Sequence, residues 1–326
     1  MPLPKVFLTR LIPDEGLAPL QSEVELDLWP DELPPDRAAL LHHLPGIDGL
    51  LCLLTDPIDA EAMDTAGDSL RVISQMAVGF DNIDVAAATA RRIPVGNTPG
   101  VLTEATADYT WALLLAAARR VVEGTAYARS GRWKTWGPTL LLGADVGGAT
   151  LGIVGLGRIG QAVAERARGF DMHIVYYDRQ RRPEVERELG IEYASLEDLL
   201  SEADFVTVHT TYNDSTHHLL GEVEFERMKP HALLINTARG PIVDRDALYR
   251  ALTTGKIAGA ALDVTEPEPI DPRDPLLMLD NVIVTPHIAS ASRSSRGRMA
   301  QMAAQNLLAG LRGERLPNCV NPEVYD

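Results

Sequence analysis

The chain opens on short apolar runs separated by amphipathic stretches. "KVFLTR", "VELDLW", "GLLCLL", "RVISQMA" and "IPVGNT" have the length of buried strands, and segments such as residues 36–43 and "DVAAATARR" carry helical spacing between them. Strands that alternate with helices predict a parallel sheet covered on both faces, and this first α/β unit ends near Pro99. From Thr103 to Glu123, "TEATADYTWALLLAAARRVVE" follows the turn signal "NTPG" and predicts one long helix linking two domains. After a loop with two tryptophans, "SGRWKTWGPT", a second α/β series begins at Ala149. Its strands are "TLGIVGL", "HIVYYD", "FVTVHT", "ALLINTA", "IAGAALDV" and "NVIVTPH", and a last helical stretch over roughly 292–311 precedes a short tail.

That tail is too short to form a domain, so the economical layout returns the last helix to the first unit. The expected fold is α/β with two doubly wound parallel-sheet domains. A Rossmann dinucleotide-binding domain (100–287) is inserted into a flavodoxin-like substrate domain (1–99 plus 288–326). Such a layout leaves a cleft between domains, where ligands prefer to bind. A length of 326 residues agrees with two cores rather than one.

Composition narrows the setting. Thirty basic against forty-six acidic side chains give a formal charge of −16, which repels nucleic acid and anionic lipid. Neither is expected as a partner, and an anionic ligand needs a local positive site. Cys52 and Cys319 show neither disulfide nor metal spacing, and no apolar segment is long enough for a signal or a membrane span. A cytoplasmic protein is the expectation.

In "GIVGLGRIG", Gly155, Gly157 and Gly160 form GxGxxG directly after an apolar strand and directly before a helix, with Leu156, Arg158 and Ile159 between them. The first glycine permits the turn, the second lets a pyrophosphate approach the backbone, and the third lets helix and strand pack closely. Asp178, eighteen positions beyond Gly160 at the end of the next strand, suits the adenosine ribose hydroxyls and repels a 2′-phosphate. NAD(H) is favoured. Arg179, Arg181 and Arg182 follow at once, and guanidinium groups are able to clamp a phosphate, so NADP(H) stays open.

Three further strand ends carry charged or titratable groups: Arg239 in "LLINTARGPIVD", Glu266 and Glu268 in "AALDVTEPEP", and His287 in "NVIVTPHIAS". An arginine, a carboxylate and a histidine on one rim of a sheet suit reduction of a 2-oxo acid. Histidine is the usual proton donor near neutral pH, a neighbouring carboxylate orients it and favours its charged form, and a guanidinium binds the substrate carboxylate and polarises the carbonyl. A nicotinamide supplies the hydride. The other histidines, including His42, His43, His217, His218 and His231, lack metal-ligand spacing, and no metal is expected.

"AVGFDNIDVAAA", "PVGNTPGVLTEATAD", "TLGIVGLGRIGQAVA", "INTARGPIVD", "ALDVTEPEP" and "TPHIAS", in this order over essentially the whole chain, resemble the D-isomer-specific 2-hydroxyacid dehydrogenase family. Within it they are most similar to the glyoxylate/hydroxypyruvate reductase and D-glycerate dehydrogenase branch. The resemblance implies Arg239, Glu268 and His287 as the catalytic set; the spacings of 29 and 19 residues fit it and leave Glu266 a bystander. It implies that the amides of Val78 and Gly79 hold the substrate carboxylate, and that Thr106, Thr210, Thr237 and Asp263 contact the nicotinamide half of the cofactor. It also implies a homodimer, with Trp133 or Trp136 at its interface or bordering a substrate pocket. Two departures stand out: "HTTYNDSTHH" replaces a proline-containing loop common in relatives, and Phe80 stands where many have tyrosine. Competing readings are another D-2-hydroxyacid dehydrogenase, of short phosphoglycerate or D-lactate type, and a dinucleotide-sensing corepressor.

Overall fold

In the computed structural model, which describes residues 2–326, the first apolar runs become five parallel strands. They are β1 (Lys5–Leu8), β2 (Glu25–Leu28), β3 (Gly49–Cys52), β4 (Val72–Gln75) and β5 (Val95–Gly96), in the order β2-β1-β3-β4-β5. This is the flavodoxin-like order. β3 is buried at every position because helices cover both faces, which is why it reads as a continuous apolar run.

One covering helix comes from the far end of the chain. In helix Arg293–Leu311, Leu307 and Leu311 lie against Gly49, Gly310 lies against Val72, and the Ser74 hydroxyl donates to the Ala303 carbonyl at 2.8 Å. Asn306 extends the seam by donating to the Asn97 carbonyl at 2.9 Å. Residues up to Leu102 together with Ala291–Asp326 form one compact unit, and Thr103–Ser290 form the other. Each joint falls three residues further along than the sequence places it: the first inserted helix starts only at Thr103, after the turn at Gly100 with φ +84°.

The inserted unit has seven parallel strands: β6 (Thr150–Val154), β7 (His173–Tyr177), β8 (Glu192–Tyr193), β9 (Phe205–Val208), β10 (Leu233–Asn236), β11 (Gly259–Leu262) and β12 (Val282–Val284). Their order is β12-β11-β10-β9-β6-β7-β8. Counted from β6, this is the doubly wound dinucleotide-binding order with one added strand, and its switch point lies between β6 and β9. Two parallel sheets, the second formed by a segment that interrupts the first unit in sequence, are the fold class the sequence predicts. The edge strand β8 is not predicted: its two residues are exposed and too short to make a pattern.

The single helix expected over Thr103–Glu123 is a correction. It ends at Ala118, and a separate helix spans Val121–Arg129. The Ala118 carbonyl accepts from the Ala144 amide at 2.8 Å, and a Cβ on Gly143 would stand 2.2 Å from that same oxygen. The loop returning at Gly143 therefore caps the helix. Arg120 turns the chain in the left-handed region, φ +52°, with its guanidinium on Glu123 at 2.7 and 2.8 Å.

Between β6 and helix Arg158–Ala167, Gly155 and Gly160 are sterically required. Gly155 has φ +98°, and a Cβ on Gly160 would stand 2.2 Å from the Gly155 carbonyl oxygen. At Gly157 a Cβ would meet nothing within 4 Å, so that face of the loop is open.

Asp204 ties the beginnings of β6 and β10 together. Its carboxylate accepts from the Thr150 amide and from Lys229 Nζ, both at 2.8 Å, and lies 2.9 Å from His231 Nε2. Burial opposes its ionisation, but Lys229, the Thr150 amide and His231 outweigh burial and hold the carboxyl down to about 2. A carboxyl whose folded pKa lies below its unfolded value stabilises the fold above roughly pH 4 and loses that contribution as pH falls towards 2. Asp204→Asn is expected to remove this part of the acid dependence, so that urea midpoints of variant and parent differ at pH 7 and draw together as pH falls from 4 towards 2.

Candidate active site

The carboxyl ends of β10, β11 and β12 lie side by side. Asn236 pairs with Leu262, and Leu262 with Val284, so the segments that follow leave the sheet along one edge. Arg239 comes three residues after β10, Asp263 directly after β11, and His287 three residues after β12.

Asp263 organises this edge. It is 1% exposed. Its Oδ1 accepts from the Thr285 hydroxyl at 2.7 Å and the Ile288 amide at 2.9 Å, and its Oδ2 from the Ala289 amide at 2.7 Å. Its carbonyl accepts from the His287 amide at 2.8 Å. These bonds hold His287 at φ +54°, a left-handed conformation that a non-glycine residue adopts only at a cost of about 1–3 kcal/mol.

So held, His287 presents Nδ1 to Glu268 Oε1 at 2.6 Å, both side chains being partly buried. The loop bearing Glu268 is braced by the Thr265 hydroxyl, which donates to the Pro267 carbonyl at 2.8 Å. Arg239 has extended backbone; its carbonyl accepts from Asn236 Nδ2 at 2.9 Å and its Nη1 donates to the Ala238 carbonyl at 2.9 Å. A Cβ on the next residue, Gly240, would stand 2.0 Å from the Thr265 carbonyl oxygen. That close approach lays the arginine loop against the loop that carries Glu268.

The same edge continues to β6, β7 and β9. Helix Arg158–Ala167 has no side-chain N-cap, which leaves the amides of its first turn for an anion, and Gly157 leaves space in front of them. Asp178, just past β7, accepts from the Leu156 amide at 3.0 Å and from the Gln180 amide at 3.3 Å, so it also braces the glycine loop. Arg179 is exposed beside it. Arg181 forms a bidentate pair with Glu186, with two contacts of 2.9 Å. Thr106 and Thr237 are buried, and Thr237 shares a 2.9 Å hydrogen bond with Thr110. These features fit a pyrophosphate and a ribose of a dinucleotide.

His209, at the carboxyl end of β9, was not singled out from the sequence. Its Nε2 is shielded from solvent and has no hydrogen-bond partner among the described residues, and burial pushes the ring down to about 3, so it is neutral at pH 7. The signal was available: a histidine directly after the apolar strand "FVTVHT", next to Thr210, whose amide nitrogen would stand 2.6 Å from a Cβ on Gly155. In the other unit, Val78 and Gly79 follow β4, and their carbonyls accept from Asn97 Nδ2 at 2.8 Å and Gln75 Nε2 at 3.1 Å. No described helix is long and apolar enough to cross a membrane.

Residues 111–289 match the family model of the D-isomer specific 2-hydroxyacid dehydrogenase, NAD binding domain. A glyoxylate reductase of Korarchaeum cryptofilum is 57% identical over 322 residues, covering 98% of this chain and 97% of its own. The crystal structure of a Thermus thermophilus protein, 51% identical, superposes with a TM-score of 0.91 over 97% of this chain and 99% of its own. That of an NADPH-dependent glyoxylate/hydroxypyruvate reductase from Sinorhizobium meliloti, in complex with NADP and malonate, is 32% identical with a TM-score of 0.86 and covers 98% of this chain and 97% of its own. The inserted dinucleotide-binding sheet and nearly full-length identity above one half together make the chain a member of the D-isomer specific 2-hydroxyacid dehydrogenases, oxidoreductases that use a nicotinamide dinucleotide.

Proposed function

We propose that the protein reduces a small 2-oxo acid, glyoxylate or hydroxypyruvate, to glycolate or D-glycerate with NAD(P)H, in a reversible reaction. The carrying observation is the His287–Glu268 pair at 2.6 Å, in a chain that is 57% and 50% identical to two relatives named glyoxylate reductase.

In this reading Arg239 binds the substrate carboxylate and polarises the keto oxygen. His287 delivers a proton to that oxygen, and Glu268 keeps the ring oriented and stabilises its charged form. A bound reduced nicotinamide supplies the hydride. Gly155, Leu156, Gly157, Arg158, Ile159 and Gly160 hold the pyrophosphate. Thr106, Thr210 and Thr237 face the nicotinamide half. Asp263, whose carboxylate oxygens serve Thr285 and the amides of residues 288 and 289, acts there by fixing the chain beside His287.

NAD(H) is the proposed cofactor. Asp178, braced by its bond to the Leu156 amide, is read as the acceptor for the ribose hydroxyls, and of the three neighbouring arginines Arg181 is already committed to Glu186. The protein is proposed to be cytoplasmic, in line with its two free cysteines, and a homodimer. Helix Val121–Arg129 buries none of its residues, and Trp133 and Trp136 are 63% and 79% exposed on the loop that follows. Sedimentation of the parent is expected to give a dimer, and of Trp136→Asp a weakened one; a monomeric parent removes this part of the reading.

Initial rates with hydroxypyruvate, glyoxylate and pyruvate, each with NADH and with NADPH, test the function. Turnover of hydroxypyruvate or glyoxylate with NADH is the expected leading combination. His287→Ala is expected to lower kcat by about 10²–10⁴-fold while NADH binding, read by fluorescence, stays near the parent value. Near-normal turnover in that variant removes His287 from the role of proton donor.

A further inference from the structure

His217 and His218 show no metal-ligand spacing in the sequence, and Glu266 lies 48 residues beyond His218. The fold brings them together. One ring nitrogen of His217, one of His218 and one carboxylate oxygen of Glu266 lie within 4.8 Å of one another. His218 Nε2 is 2.8 Å from Glu266 Oε2, while its Nδ1 faces Asp244 Oδ2 at 3.9 Å. His217 Nδ1 faces the Tyr212 hydroxyl at 3.4 Å, and the two imidazoles stack with centroids 3.9 Å apart.

The backbone beneath this cluster is pinned. His218 sits at φ +50°, its amide donates to the Pro241 carbonyl at 2.8 Å, and Leu220 bridges to Val243. The side chains of His218, Glu266 and Asp244 above it are partly exposed, so an ion can reach them from solvent.

Two imidazoles and a carboxylate make a donor set suited to Zn²⁺. Ligand bonds of about 2.0–2.2 Å place tetrahedral donors roughly 3.3 Å apart, and a cluster already inside 4.8 Å reaches that spacing by small side-chain rotations. Histidine ligands usually turn their second nitrogen to a carboxylate or another oxygen, the position Asp244 takes behind His218. The formal charge of −16 adds a general attraction for cations.

We propose that His217, His218 and Glu266 bind a divalent transition-metal ion, Zn²⁺ being the ion they fit, at a site separate from His287 and Glu268. Glu266 and Glu268 share one short loop, braced by the Thr265 hydroxyl on the Pro267 carbonyl. An ion entering between Glu266 and His218, now 2.8 Å apart, has to part them to roughly 3.3 Å and therefore shifts the loop that aims Glu268 at His287, so that occupancy slows turnover reversibly. The binding stands on the cluster's geometry alone; only the effect on rate rests on the catalytic reading of His287 and Glu268.

The test titrates Zn²⁺ into the metal-free, full-length protein against a chromophoric chelator, for the parent and for His218→Ala, Glu266→Gln and His287→Ala, with folding checked by circular dichroism. One bound equivalent is expected in the parent, weakened at least about tenfold in His218→Ala and Glu266→Gln and retained in His287→Ala. Saturating Zn²⁺ is expected to slow NADH oxidation by the parent, with chelator restoring it, and to leave His218→Ala unaffected. No binding in the parent, or equal binding in His218→Ala and Glu266→Gln, overturns the site. Loss of binding in His287→Ala instead moves the ion to the catalytic pair. A bound ion without effect on the parent's rate overturns the coupling to the Glu268 loop.

Discussion

The geometry of the candidate site depends on one buried carboxylate. Asp263 gathers the Thr285 hydroxyl and the amides of residues 288 and 289 on its two oxygens, while its carbonyl takes the His287 amide. Left-handed backbone at His287 costs about 1–3 kcal/mol. Each hydrogen bond to a charged acceptor contributes about 1.5–3 kcal/mol, so three of them outweigh the strain. The charge itself would be expensive to bury alone, and these donors are what make the site habitable for it. His287 thus faces Glu268 because the strand before it ends on an aspartate.

Parallel topology does the remaining assembly. β10, β11 and β12 run in register, so residues that follow each strand by one to three positions emerge at one edge although they are far apart in sequence. The close approach of Gly240 to Thr265 then draws the arginine loop onto the glutamate loop. On the other side of the switch point, Asp178 joins the end of β7 to the glycine loop through the Leu156 amide. One carboxylate there braces the glycine loop from the end of the neighbouring strand.

What could be read from the chain was whatever local pattern determines. Buried strands announced themselves as apolar runs, the glycine loop by its strand–turn–helix context, and Arg239, the pair Glu266 and Glu268, and His287 by their places after strands; the choice of Glu268 over Glu266 came from the family resemblance. The break at Arg119–Arg120 was not legible, because the cap comes from the distant Gly143–Ala144 backbone and not from the helix's own residues. Asp263 could be located but not understood, since its partners are main-chain amides more than twenty residues on. Glu266 looked idle and His217 and His218 unconnected until the fold set them on one another. Arg181 read as a phosphate clamp, whereas Glu186, five residues on in the next helix, occupies it.

Direct transfer of hydride to C2 of a 2-oxo acid, with a proton supplied from the protein side, is tested by reducing hydroxypyruvate with NADH that carries deuterium at C4 of the nicotinamide and analysing the product by NMR and chiral chromatography. D-Glycerate bearing deuterium at C2 is expected when the label is on the transferred face. Glycerate without label at C2 from either labelled face, or the L-isomer, would contradict it.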